Sequence, residues 1–134
     1  MGILADAVLA AGGRVTGIIP DFLLQREVAH AGLNEIEVVA TMHERKRRMA
    51  DLADAFIAMP GGWGTLDEVA EMLTWRQLHL TSQPIGILNT EGFFDPLIQL
   101  FMRMSETGFL PTANLQIPLV ESNPRLLLNR LIPV

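Results

Sequence analysis

The chain has no cysteine, which removes any disulfide framework and any thiol chemistry, and fits a cytoplasmic protein. It has a single lysine, Lys46, so a mechanism that needs a Schiff base has only one residue to use. Positive charge is scarce. Ten Lys and Arg against fifteen Asp and Glu leave a net charge of -5, which argues against nucleic acid as a main partner. No apolar run reaches the length of a transmembrane helix, and no signal peptide is visible, so no membrane partner is expected. Repeats and low-complexity linkers are absent as well. What is there is 134 residues, 49% hydrophobic and 19% charged. That is enough for one domain with a core of its own, over 1–134, and too apolar for a disordered chain.

The most informative stretch is Ala58-Met59-Pro60-Gly61-Gly62-Trp63-Gly64-Thr65-Leu66-Asp67-Glu68. The apolar run Ala55 to Met59 has the composition of a short buried strand. A glycine-rich turn follows. Leu66, Val69, Leu73 and Leu80 then recur at helical spacing. A strand, a glycine turn and a helix start together present free backbone N–H groups to an anion. Three glycines in four residues let the backbone approach a ligand without β-carbons in the way. The same residues have a plainer reading. Thr65-x-x-Glu68 is a capping box for a helix opening at Thr65, and Pro-Gly-Gly is a common turn signal. In that register Asp67 and Glu68 lie in the first helical turn, which suits the helix dipole but repels an anion.

Strand and helix patterns alternate along the chain. Ile3, Leu4, Ala7, Val8 and Ala11 share a helical face stopped by Gly12-Gly13. Val15 to Ile19 reads as a buried strand ended by Pro20. Phe22 to His30 is ambiguous between short helix and loop. Glu35 to Ala40 reads as a strand. Thr41 caps the next helix with Glu44 three residues on, and Met42, Met49, Leu52 and Ala53 could face the core. A strand over 55–59, a helix over about 65–79 and a strand over 84–89 follow. Phe94, Leu97, Ile98, Phe101 and Met104 form an amphipathic helix stopped at Gly108. Ile117 to Val120 is a last strand, and Asn123-Pro124 opens a C-terminal helix. This alternation predicts an α/β fold, a parallel sheet with flanking helices, Rossmann-like. Ligands bind such sheets beyond the carboxyl ends of the strands, where both 41–48 and 60–68 fall.

Several segments together resemble the LOG (Lonely Guy) family of phosphoribohydrolases, often labelled possible lysine decarboxylases. Pro60-Gly61-Gly62-x-Gly64-Thr65-x-x-Glu68 is similar to the family's PGGxGTxxE signature, and Met42-His43-Glu44-Arg45-Lys46-x-x-Met49 to its MHxRKxxM element. Thr74-Trp75-x-Gln77-Leu78, Gly86-Ile87-Leu88-Asn89 and Gly92-Phe93-Phe94-Asp95-Pro96-Leu97 also fit, so the likeness covers nearly the whole chain. Where the family usually has glycine, histidine and lysine, this chain has His79, Thr81 and Gln83. The family's glycine-rich turn before its first helix has no counterpart, and Met1-Gly2 match only its end. The likeness therefore implies that an N-terminal βα portion, roughly 40 residues or about one βαβ unit, is missing.

The resemblance implies hydrolysis of the N-glycosidic bond of a nucleoside 5′-monophosphate, a cytokinin riboside monophosphate or AMP, to free base and ribose 5-phosphate. It gives catalytic importance to Arg45 and Glu68 and phosphate contact to the glycine loop, with Lys46, Gly61, Gly62, Gly64 and Thr65 as binding residues. The residue types suit the chemistry. A carboxylate can stabilise an oxocarbenium-like transition state or activate water. An arginine can hold phosphate bidentately or stabilise the departing base. Arg45-Lys46-Arg47-Arg48 sits early in a helix, where the dipole disfavours cations unless an anion or neighbouring carboxylates offset them. Arg45 and Arg48 share a face, while Lys46 points elsewhere.

A pyridoxal-phosphate decarboxylase would have to use Lys46, flanked by three arginines and with no recognisable cofactor pocket, so no cofactor is expected. His30, His43 and His79 do not pair at metal-ligand spacing, and no catalytic metal is expected. Trp63 and Trp75 could stack on a base, but core or interface packing suits Trp75 better. The competing reading is a non-catalytic nucleotide-binding or carrier module on the same scaffold, and a third is an incomplete form of the enzyme. The resemblance implies a homodimer. An apolar helix with Leu66, Val69, Met72, Leu73 and Trp75 around most of its circumference adds support.

Overall fold

The computed structural model describes residues 1–24 and 32–132. It is a mixed α/β structure in which every paired strand is parallel and helices flank the sheets. The chain divides into two compact units, Met1–Leu52 and Ala53–Val134.

The first unit runs α1 (Gly2–Ala10), β1 (Thr16–Pro20), a one-turn helix α2 (Asp21–Leu24), β2 (Glu35–Val39) and α3 (Met42–Leu52). β1 and β2 pair in parallel from Thr16 with Glu35 to Pro20 with Val39. Asn34 sets the start of that register. Its Oδ1 accepts from Val15 N at 2.7 Å, and its own N–H donates to Val15 O at 3.1 Å. Pro20 is the last residue of β1 rather than a stop beyond it, and it is fully buried. Of the ambiguous stretch Phe22 to His30, the part after Leu24 lies outside the described residues.

The expected face of α1 is not its buried one. Ile3 is 89% exposed and only Ala5 is buried. The helix is apolar nearly all round, so periodicity cannot select a face. Its end follows expectation, because Gly12 takes φ +78° and the Gly13 N–H returns to Val8 O. On α3 the Thr41 cap holds: Thr41 Oγ1 accepts from Glu44 N at 3.0 Å. Glu44 reaches one residue further back than a standard box, accepting from Ala40 N at 2.9 Å. The predicted apolar set is corrected here. Met49 and Leu52 are exposed, Ala53 lies beyond the helix, and Ala50 is the buried residue.

The second unit runs β3 (Phe56–Ala58), α4 (Trp63–Gln77), β4 (Ile85–Leu88), α5 (Asp95–Glu106), β5 (Pro118–Glu121) and α6 (Pro124–Leu131). Two 3₁₀ turns, Thr90–Gly92 and Thr112–Gln116, flank α5. The sheet order is β3-β4-β5. β4 is central and buried along its whole length, as a parallel strand covered on both faces must be. On one face Ala58, Ile87, Val69 and Phe94 form a cluster joined by Leu73, Leu97, Ile98, Phe101 and Val120. On the other, Leu88 packs with Leu127 and Leu131 of α6. Gly86 keeps that face close, since a β-carbon there would meet Leu127 Cδ1 and Leu131 Cδ1, each at 2.9 Å. Asn123 caps α6 by accepting from Arg125 N and Leu126 N, with Pro124 next in line, as the sequence signals.

Candidate functional site

The candidate residues divide between the units. Arg45 and Lys46 lie on α3 in the first; Gly61, Gly62, Gly64, Thr65 and Glu68 lie at the start of α4 in the second. In each case the helix follows the carboxyl end of a parallel strand, β2 or β3.

α4 begins two residues before the predicted register. Gly62 is its N-cap, Trp63 its first residue, and no side chain caps it. Thr65 is therefore inside the first turn and does not open a capping box with Glu68. No acidic residue stands in the first turn, so the charge conflict inferred from Asp67 and Glu68 disappears. The reason is local. Gly62 and Gly64 cost little to place at the cap and in the first turn, and they let the helix start early. The result is a helix N-terminus without a side-chain cap from its own N-cap residue, a geometry that can present free N–H groups to an anion.

The three glycines differ in what they do. A β-carbon on Gly61 would overlap the Thr65 hydroxyl, so Gly61 is what lets Thr65 fold back over the loop. Gly62 and Gly64 have nothing within 4 Å of a β-carbon position, and the space before the amides stays open. The φ of Gly62 is -103°, so it is that space, not the backbone angle, that favours glycine. Thr65 and Glu68 are three residues apart on one face of α4 and both half-buried. Among the described residues, Glu68 has no side-chain hydrogen bond or ion pair. Trp63 is 88% exposed beside the loop.

On α3 the cations are not equivalent. Arg47 Nε donates to Asp51 Oδ1 at 3.0 Å. Arg48 Nε lies 2.8 Å from both carboxylate oxygens of Glu37 on β2. The hydrogen bond and charge of Glu37 raise the Arg48 pKa above its ordinary value. Neighbouring carboxylates thus answer the dipole conflict for those two. Arg45 differs: its Nε is buried and has no hydrogen-bond partner among the described residues. Lys46 is half-buried on another face and has a polar partner. A buried guanidinium nitrogen left without an acceptor is uncommon.

Sequence reasoning missed a groove of about 340 Å3 beside the loop, lined by Gly61, Leu66, Phe93, Phe94, Leu97 and Leu100. Leu66 was legible only as a member of an apolar helix and Leu100 carried no signal; their partial exposure marks the groove. The turn that presents Phe93 is pinned by Asn89, whose Oδ1 accepts from Phe94 N and whose Nδ2 donates to Asp95 Oδ1, both at 2.7 Å. Among the described residues no three His, Asp or Glu side chains are placed to hold a metal ion. None of the helices described is long and apolar enough to cross a membrane.

A family model described as "Possible lysine decarboxylase" matches residues 1–131. The chain is similar to "Probable cytokinin riboside 5'-monophosphate phosphoribohydrolase LOGL1" of Oryza sativa subsp. japonica, with 46% identity over 82% of this chain and 49% of the relative. It is 45% identical to "Cytokinin riboside 5'-monophosphate phosphoribohydrolase LOG1" of Arabidopsis thaliana, over 84% of this chain and 54% of the relative. A second rice relative, "Probable cytokinin riboside 5'-monophosphate phosphoribohydrolase LOG4", is 43% identical over 98% of this chain and 57% of its own. The chain spans about half the length of the curated relatives it matches.

Proposed function

The chain belongs to the family described as possible lysine decarboxylase, and from that membership we propose that it is a nucleoside 5′-monophosphate phosphoribohydrolase. Its substrate is a cytokinin riboside monophosphate or AMP, and its products are free base and ribose 5-phosphate. The observation that carries this reading is the uncapped start of α4, with Gly62 and Gly64 leaving open space before its amides and Glu68 one turn on. The names of the relatives support the same reaction.

In this account the amides of the first turn of α4 and the Thr65 hydroxyl hold the 5′-phosphate, helped by the dipole of a 15-residue helix; the family likeness assigns Lys46 a binding role as well. The carbon–nitrogen bond to the base breaks with oxocarbenium character at the anomeric carbon. Water supplies a hydroxyl to that carbon and a proton to the base. Glu68 stabilises the developing positive charge or orients the water, and Arg45 offsets negative charge on the phosphate or the departing base. The lysine decarboxylase label receives no support from the residues, since Lys46 is the only lysine and stands between arginines on α3.

We also propose a homodimer and a cytoplasmic setting. Large apolar side chains left open, among them Ile3, Trp63 and Phe109, each above 85% exposed, support the dimer. Light scattering at micromolar concentration tests it, and a monomer mass contradicts it. The reaction is tested by comparing AMP with adenosine. Adenine release from AMP and not from adenosine is expected, because the loop recognises phosphate. Equal release from both would remove the loop from the account.

A further inference from the structure

The second unit has another groove, at the opposite end of its sheet from the glycine loop. It has a volume of about 310 Å3 and is lined by Arg76, Pro84, Ala113, Gln116, Ile117 and Leu119. Pro84 and Ile117 stand just before the amino ends of β4 and β5. Trp63 and Arg76 are thirteen residues apart on α4, so the groove lies about 20 Å along that helix from the loop.

Arg76 is the one charged side chain in this lining, and it is half-buried. Among the described residues it has no ion pair and no side-chain hydrogen bond, although the chain carries five more acidic than basic residues. Its place in the last turn of α4 favours a cation through the helix dipole. That effect needs no particular orientation of the guanidinium, however, and it leaves the donor fork unused. The rest of the lining is chiefly apolar, from Pro84, Ala113, Ile117 and Leu119, with Gln116 the other polar residue.

We propose that this groove binds a small carboxylate with an apolar body, the carboxylate on Arg76 and the body against Pro84, Ile117 and Leu119. The pairing follows from the lining. A carboxylate accepts two parallel N–H bonds from a guanidinium, and an apolar body replaces water on the remaining walls. The carboxylate must sit near the negative end of α4, worth about half an elementary charge, and the full charge and directed donors of Arg76 outweigh it. This site stands apart from the glycine loop and does not depend on the phosphoribohydrolase reading.

The test is amide NMR on the purified chain, titrated with benzoate and, separately, with the neutral isostere benzyl alcohol. Saturable shifts from benzoate at Gln116, Ile117 and Leu119 are expected, with benzyl alcohol at least about tenfold weaker and Arg76→Gln weakening benzoate by at least about tenfold. Equal binding of the two probes to the wild-type chain overturns the proposal without any variant. So do benzoate shifts confined to Gly62–Thr65, absence of saturation, or unchanged affinity in a folded Arg76→Gln chain.

Discussion

Arg48 on α3 donates through Nε to both carboxylate oxygens of Glu37 on β2 at 2.8 Å, while Arg45, one turn earlier on the same helix, has a buried Nε with no acceptor among the described residues. The two arginines share a face by spacing but not a set of partners. Arg48 ties α3 to β2.

From that contrast, Arg45→Ala is expected to lower kcat/KM for AMP by roughly 100-fold or more, the usual cost of removing a charge stabiliser. Arg47→Ala, whose partner Asp51 is also exposed, should change it by less than about threefold. Arg48→Ala should lower Tm slightly and more at low salt than at high, since the pair is partly exposed and screened. Glu37 raises the Arg48 pKa, so the contribution of that arginine is complete below its ordinary value and fades only at more alkaline pH. The Tm difference should therefore stay flat from about pH 6 to 9. Equal activity losses in Arg45→Ala and Arg47→Ala would leave only a diffuse field effect.

The glycine loop separates structure from binding. Gly61→Ala places a methyl on the Thr65 hydroxyl and should lower Tm as well as raise KM for AMP. Gly62→Ala meets nothing in the protein, so Tm should hold while KM rises. Thermal melts and steady-state kinetics on the two variants check this. Unchanged KM in Gly62→Ala would mean that the open space before α4 receives no phosphate.

The parallel α/β plan was legible because the signals were local and redundant. Asn123-Pro124 caps and starts α6 by chemistry that tertiary packing does not override, and Leu97, Ile98 and Phe101 name the face of α5 that packs on the core, with Phe94 just before the helix; Met104, read with them, is instead exposed. α1 was not legible by face, since Asp6, read as opposite the apolar face, is the one polar side chain in the helix and Ala5 beside it is the buried residue. The start of α4 was misread by two residues because Thr65-x-x-Glu68 has the form of a capping box, and glycine at 62 and 64 allowed an earlier cap. The candidate site residues were proposed by motif. What no motif carried was the inequality of the four cations, which depends on Glu37 on β2, 11 residues before Arg48, and on Asp51 one turn along α3.

His79 is held at φ 58°, in the left-handed region just past the end of α4, where its N–H donates to Arg76 O at 3.2 Å. A side chain there is strained, and glycine is the residue that relieves it. His79→Gly should stabilise the protein by up to about 1 kcal/mol in urea unfolding without changing activity. A loss of stability would mean that the imidazole contributes more than its backbone strain costs.

The central claim is that Glu68 acts on the ribose and is not a helix cap. It stands in the second turn of α4, beyond a start that Gly62 caps alone, so Glu68→Gln should fold and melt as the parent does. The direct measurement is adenine and ribose 5-phosphate formed from AMP by the purified parent and by Glu68→Gln, side by side. Equimolar products from the parent and a loss of at least about 100-fold in the variant are predicted. No products from the parent, or near-parental turnover by Glu68→Gln, would contradict the account.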